Sequence, residues 1–251
     1  MPTQSADREL AAAITRSAQP AGEELLDNPI WNSLLTDHGV IALAEGPARR
    51  YPPAIGPLSG TPDQSPASYN ALISLAGPSG ILALFFSDPP ALPASWSLFR
   101  GGSLAQMICR APRLVGAGTL AAGVNLRRLR DADVPEMIEL ATLTEPGPFR
   151  ERTIELGNFY GIFEGNRLLA MAGQRMRLPG FVEVSAVCTH PDGRGRGYAG
   201  ILMSEVMRDI FAEKRTPFLH AFIDNPAMRL YERLGFTLRR TFHLAVIKNE
   251  A

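Results

Sequence analysis

The segment Val187-Cys-Thr-His-Pro-Asp-Gly-Arg-Gly-Arg-Gly-Tyr-Ala-Gly200 carries glycines at 193, 195, 197 and 200. Glycine reaches backbone angles that other residues avoid, so successive N–H groups can be aimed at one spot. The apolar residues that follow, with Leu202, Val206 and Ile210 on one face, predict a helix over about 198–214. A helix start adds free N–H groups and the positive end of its dipole. Arg194 and Arg196 add charge. Together these make an anion site suited to a diphosphate. The plainer alternative is a flexible glycine turn with solvated arginines. A Walker loop would need Lys-Ser/Thr after the last glycine, and Tyr198 stands there. The spacing Gly195-x-Gly197-x-x-Gly200 matches a dinucleotide fingerprint, but the segment follows a late strand. The position where that fingerprint wants an acid holds His220.

Other chemistry is sparse. No His, Cys or carboxylate cluster has metal-ligand spacing, so no metal is expected. Cys109 and Cys188 are the only cysteines, which excludes a disulfide framework. Lys+Arg and Asp+Glu are both 25, so no positive excess favours nucleic acid. No apolar run is long enough to span a bilayer, and the N-terminus MPTQSADREL is polar where a signal peptide would be basic and then apolar. A cytoplasmic enzyme or binding protein is the expectation. Oligomeric state is silent.

The elements that must position the turn differ between the two halves. Fourteen of the 21 prolines lie in residues 1–112, which breaks that half into short pieces. Short strands are expected at 40–44 and 81–86 around a helix at about 67–75. The small, uncharged stretch 115–124 reads as a linker or turn. A boundary near residue 120 is therefore expected, giving a 1–120 lobe and a 121–251 domain. The second half reads β-α-β-β-β-α-β-α-β, with strands near 126–130, 159–163, 168–176, 181–189, 218–223 and 242–248. Its helices fall after Asp131 or Asp133, at 198–214 and at 226–234.

Arg194-Gly-Arg-Gly-Tyr-Ala199, preceded by Val187 and Pro191, resembles the acyl-CoA loop of the GNAT superfamily of N-acyltransferases. Ala227-Met-Arg-Leu-Tyr-Glu-Arg-Leu-Gly-Phe236 resembles that family's A-x-x-L-Y-x-x-L-G-F block, in the right order and frame. The match covers about 126–248. It implies an α+β fold with a mixed, mainly antiparallel central sheet flanked by helices. A second, smaller N-terminal α/β lobe, resembling a degenerate GNAT half, would shape the acceptor pocket. It implies acetyl-CoA as acyl donor and an amine acceptor, either a small amine, an amino acid or a peptide N-terminus. Backbone groups of Val187, Cys188 and Thr189 would meet the pantetheine arm and acyl carbonyl. Arg194, Gly195, Arg196, Gly197, Tyr198, Ala199 and Gly200 would hold the diphosphate. The family's asparagine before the tyrosine is Asp224 here, so Asn225, one residue later, is the candidate. A non-catalytic acyl-CoA-binding regulatory module is the alternative.

Acyl transfer needs a deprotonated amine, a stabilised oxyanion and a protonated leaving thiolate. Tyr231, as a phenol, can supply the last; on sequence alone it also fits an apolar stripe with Ala227, Leu230 and Leu234. Alternation places Val184, Ala186 and Cys188 on one strand face, and Cys188 reads as a small buried hydrophobe. Glu183, on the opposite face with Ser185 and Val187, is the candidate general base. The competing reading pairs it with Arg175 or Arg177. His220 is a second base candidate or a structural histidine. Glu145 could attract an ammonium and Phe149 could pack an apolar group, while Arg49, Arg50 and Tyr51 could receive a carboxylate.

Overall fold

The computed structural model describes residues 22–116 and 120–250. The polar N-terminal segment and residues 117–119 of the expected linker lie outside them. The α-helices among the described residues are α1 (Pro29–Leu35), α2 (Pro66–Ala76), α3 (Val134–Thr144), α4 (Tyr198–Ala212) and α5 (Met228–Arg233). Proline at the first turn begins α1, α2 and α3, where its missing N–H would be unpaired anyway. Ser65 caps α2 by accepting from the Ser68 N–H, and Gly77 ends it at φ 72°.

Strands β1 (Leu43–Glu45), β2 (Ala48–Arg50) and β3 (Ser59–Gly60) form a small antiparallel sheet. The other strands are β4 (Ile81–Phe86), β5 (Trp96–Cys109), β6 (Val124–Arg128), β7 (Phe159–Glu164), β8 (Arg167–Leu178), β9 (Phe181–Thr189), β10 (Thr216–Phe222) and β11 (Phe236–Asn249). They make one sheet in the order β4-β11-β5-β10-β9-β8-β7-β6. Every neighbour is antiparallel except β9 and β10. This is the mixed, mainly antiparallel α+β architecture expected, and the second half follows the expected element order. No helix among the described residues is long and apolar enough to cross a membrane.

The first half has its own small sheet, yet it also gives β4 and β5 to the large one. The expected boundary near 120 falls in the β5–β6 connection, and hydrogen bonding crosses it: β5 lies between β11 and β10. Glycine inside β5 has a reason. A Cβ on Gly102 would stand 2.7 Å from the Phe222 ring of the neighbouring strand.

The parallel pair opens the sheet. β10 pairs with β9 only from Thr216↔Phe181 to Phe218↔Glu183. Beyond that, β9 stays with β8 as far as Thr189↔Ala170, and β10 stays with β5 as far as Phe222↔Leu104. Each strand keeps its outer neighbour and loses its inner one. The register of β9 against β8 also slips between Gly173↔Ser185 and Met171↔Cys188, and Ala186 there has φ 50°. That is a bulge, one extra residue facing a shorter partner.

The bulge corrects one expectation. Val184 packs in the core under α4, whereas Ala186 and Cys188 pack with Met137 and Leu140 of α3, on the other side. Val187 joins the Val184 side. Strict alternation put Val184, Ala186 and Cys188 together; an inserted residue flips parity partway along the strand.

Candidate active site

Between the separated ends of β9 and β10 lies a cleft of about 590 Å³. Val184–Val187 of β9 and Leu219–Phe222 of β10 form its sides, and Tyr231 and Asn225 reach it from the segment after β10. The segment after α3 lines part of it with Glu145 and Phe149. The first half also reaches it through Pro57, Leu58, Ala83, Phe85, Phe99 and Arg100.

The glycine turn sits where β9 leaves the cleft. Gly195 and Gly197 have φ 75° and 77°, and Gly197 precedes α4 with no side-chain cap. The last turn bonds before it are Gly193 N–H to His190 O and Arg194 N–H to Pro191 O; the first helical bond after it is Ile201 N–H to Gly197 O. The N–H groups of Gly195 through Gly200 therefore have no acceptor among the described residues. A Cβ on Gly195 or Gly197 would meet nothing within 4 Å, so packing does not demand glycine there. The backbone angles do, and the turn is open around Gly195 and Gly197. These N–H groups fit a diphosphate. Arg194 makes no ion pair among the described residues. Arg196 differs from expectation: its guanidinium is 3.2 Å from Glu164 and 3.4 Å from the Tyr198 hydroxyl, which reduces the charge it can offer. The Tyr198 ring is buried in the core, leaving only its backbone for the turn. A Gly197→Val variant is expected to bind acetyl-CoA at least about 10-fold more weakly by calorimetry, because a β-branched residue at this φ costs about 1–3 kcal/mol or rearranges the turn.

Tyr231 lines the cleft. It is mostly buried, stacks edge-on to Phe236 at 6.4 Å, and its hydroxyl has no hydrogen-bond partner among the described residues. Burial pushes its pKa above the ordinary phenol value, so it stays protonated. Asn225 both borders the cleft and starts the turn into α5, its Oδ1 accepting from the Ala227 N–H at 2.8 Å.

Glu183 is not placed to act as a base, which corrects the sequence expectation. It is fully buried, and Arg175 donates to it twice, Nε to Oε2 and Nη2 to Oε1, each at 2.6 Å. Burial alone would raise its pKa. The Arg175 charge and its two hydrogen bonds, with the His220 N–H, outweigh that and hold the carboxyl at about 2. The ion-pair reading prevails, with Arg175. His220 is engaged at both nitrogens. Its Nδ1 is 2.8 Å from Glu183 Oε1 and its Nε2 is 3.1 Å from Gln106 Nε2. Gln106 Nε2 can only donate, so Nε2 of the histidine accepts and Nδ1 carries the proton. Burial lowers the His220 pKa, consistent with a neutral ring. Gln106 in turn donates to the Leu26 carbonyl and accepts from Arg239.

Glu183→Gln is expected to destabilise the fold by about 3 kcal/mol, because it leaves a buried guanidinium unpaired. The sign of the pH effect follows from a folded pKa below the reference 4.5. The contribution is full above 4.5 and fades as pH falls toward 2. Denaturant titrations across that window check it: the variant should show a flatter acid limb than wild type.

Cys188 is buried, and burial pushes its thiol up to about 11, so it stays a core thiol. Arg49, Arg50 and Tyr51 do not border the cleft. Arg50 donates to the carbonyls of Tyr51 and Leu75, Tyr51 is buried, and Arg49 stacks on Trp31. No group of three or more potential metal ligands occurs among the described residues.

Known proteins share this fold. A family model described as FR47-like protein matches residues 159–244. The crystal structure of a protein assigned as a GNAT-family acetyltransferase from Novosphingobium aromaticivorans is 38% identical to the chain, with a TM-score of 0.81. That match covers 90% of this chain and 99% of that one. A GCN5-related N-acetyltransferase from Kribbella flavida shares the fold at 13% identity and a TM-score of 0.62, over 93% of this chain and 97% of its own. A search of curated proteins gives no match. The chain belongs to the GNAT family of acetyltransferases.

Proposed function

We propose that the protein transfers an acetyl group from acetyl-CoA directly to a primary amine in the β9–β10 cleft. The observation that carries this is the meeting of three features in one place. The cleft opens between two parallel strands, the strand β9 that lines it runs on into the unpaired N–H row of Gly195–Gly200, and a protonated Tyr231 lines it. Gly195–Gly200 and Arg194 would hold the diphosphate, with Val187, Cys188 and Thr189 alongside the pantetheine arm. The thioester supplies an activated acyl carbon when bound.

The residues divide the remaining work. Glu145, the carboxylate at the cleft rim, draws in an ammonium, which loses its proton there or to cleft water. The bulge at Ala186 leaves a backbone N–H of β9 without a cross-strand partner, available to the acyl oxygen. As the amine nitrogen bonds to the acyl carbon and the carbon–sulfur bond breaks, Tyr231 gives its phenolic proton to sulfur. It regains a proton from the new amide nitrogen through water. Residues of the first half that border the cleft support an acceptor pocket shared by both halves. A cytoplasmic setting is part of the same proposal, supported by two free, buried cysteines.

Amide hydrogen exchange tests the donor site. Acetyl-CoA should slow exchange at Gly195–Gly200; unchanged exchange there at saturating acetyl-CoA would remove the diphosphate assignment. A regulatory module would show the same protection but no amine-dependent thiol release.

A further inference from the structure

We propose that the acceptor is an amine bearing a carboxylate, with an apolar substituent, as in an apolar α-amino acid, and that Arg175 receives the carboxylate. This rests on the acetyl-transfer reading of the same cleft. Arg175 commits Nε and Nη2 to Glu183, which leaves Nη1 with two N–H groups and no acceptor among the described residues. The side chain is only 17% exposed, yet it borders the cleft. A guanidinium that served only to neutralise Glu183 would not need that position.

The neighbourhood is rich in donors and poor in acceptors. Ser185, beside Arg175 in the cleft wall, makes no side-chain hydrogen bond among the described residues. Both also border a recess of about 10 Å³, room for about one water. Gln174 borders that recess too, and its buried Nε2 has no partner among the described residues. A buried donor without an acceptor, such as Gln174 Nε2, is costly, and with the partner-free Arg175 Nη1 and Ser185 hydroxyl at the cleft surface this floor suits an acceptor group from a ligand. A carboxylate offers two such oxygens and suits a guanidinium. The opposite charge sits at the rim, where Glu145 suits the ammonium. Phe85, Phe99, Phe149 and Phe222 line the remainder, which suits an apolar substituent.

The arginine is also rigidly held. Glu183 fixes its plane, His220 fixes Glu183, and Gln106 fixes His220 against the Leu26 carbonyl. Glu183 and His220 are then positioning residues, and their burial has a functional reason. Arranging a fork donor in advance lowers the entropy lost on binding.

The test is acetyl-CoA thiol release with paired acceptors: L-phenylalanine and L-leucine, each against its amide and its decarboxylated amine. Wild type is expected to favour each acid over its decarboxylated partner by about 10- to 100-fold in kcat/KM, mainly through KM. Arg175→Lys keeps a cation beside Glu183 but removes the free Nη1, and should bring that ratio close to one. Equal use of acids and decarboxylated amines by wild type overturns the carboxylate assignment while acetyl transfer stands. A ratio that survives Arg175→Lys overturns the role of Arg175. No thiol release with any member of either series overturns the acceptor assignment, and no release with any primary amine overturns acetyl transfer as well.

Discussion

A chain of residues 121–251 alone is expected to show no cooperative melting transition and no acetyl transfer. It would contain every family motif, but not the strands that hold them. β11 pairs on one side with β5 and on the other with β4, so the fragment would leave it without a single ladder partner. β10 would lose its pairing to β5 from Phe218 to Phe222 and keep only the short contact with β9 from Thr216 to Phe218. The sheet side of Phe218 and Phe236 would open to water, since Ile108 and Cys109 pack there. Domain stability is about 5–15 kcal/mol, and losing a central strand removes more than that in burial and hydrogen bonds. Circular dichroism with thermal melting reads the outcome. A fragment that melts cooperatively and keeps full activity would mean that the first half is dispensable.

Tyr231→Phe is expected to lower kcat by about 100-fold or more with little change in acetyl-CoA affinity, in line with the usual weight of a general acid. The substitution removes one oxygen from a ring otherwise packed against Leu234 and Phe236. The hydroxyl has no partner among the described residues, so no buried group there is orphaned and stability should change by less than about 1 kcal/mol. The predicted split separates catalysis from structure. A core tyrosine would give a variant that turns over like wild type. Glu183→Gln, by contrast, should leave the shape of the pH–rate profile unchanged, because the carboxyl is held at about 2 and takes no proton in turnover.

The catalytic half was legible because its elements obey simple periods. β9 is bounded by Gly180 and by the turn after Thr189, and α4 shows an apolar face that starts just past Gly197. The first half was less so. β5 carries Arg100, Gly101 and Gly102 in its middle, and residues from Leu98 to Gly102 are exposed, so no alternation marks it as a strand. Its role in the sheet depends on Phe222 packing over Gly102, a contact between residues far apart in the chain. The bulge at Ala186 has no glycine or proline to announce it, so the facing of the residues beyond it could not be read from alternation. The glycine turn and Tyr231 were read from local patterns. Arg175 was visible only as one of two possible partners for Glu183, because its approach to the cleft depends on the β8–β9 hairpin and on where β10 parts from β9. The polar network through Gln106 and Leu26 has no local signal at all.

Acetyl transfer is measured most directly by mass-spectrometric detection of acetylated acceptor, alongside thiol release, with wild-type enzyme, acetyl-CoA and a panel of primary amines. One acetyl amide is expected per thiol released, depending on both acetyl-CoA and the amine. Protection of the Gly195–Gly200 amides by acetyl-CoA with no acetylated product from any amine would contradict acetyl transfer.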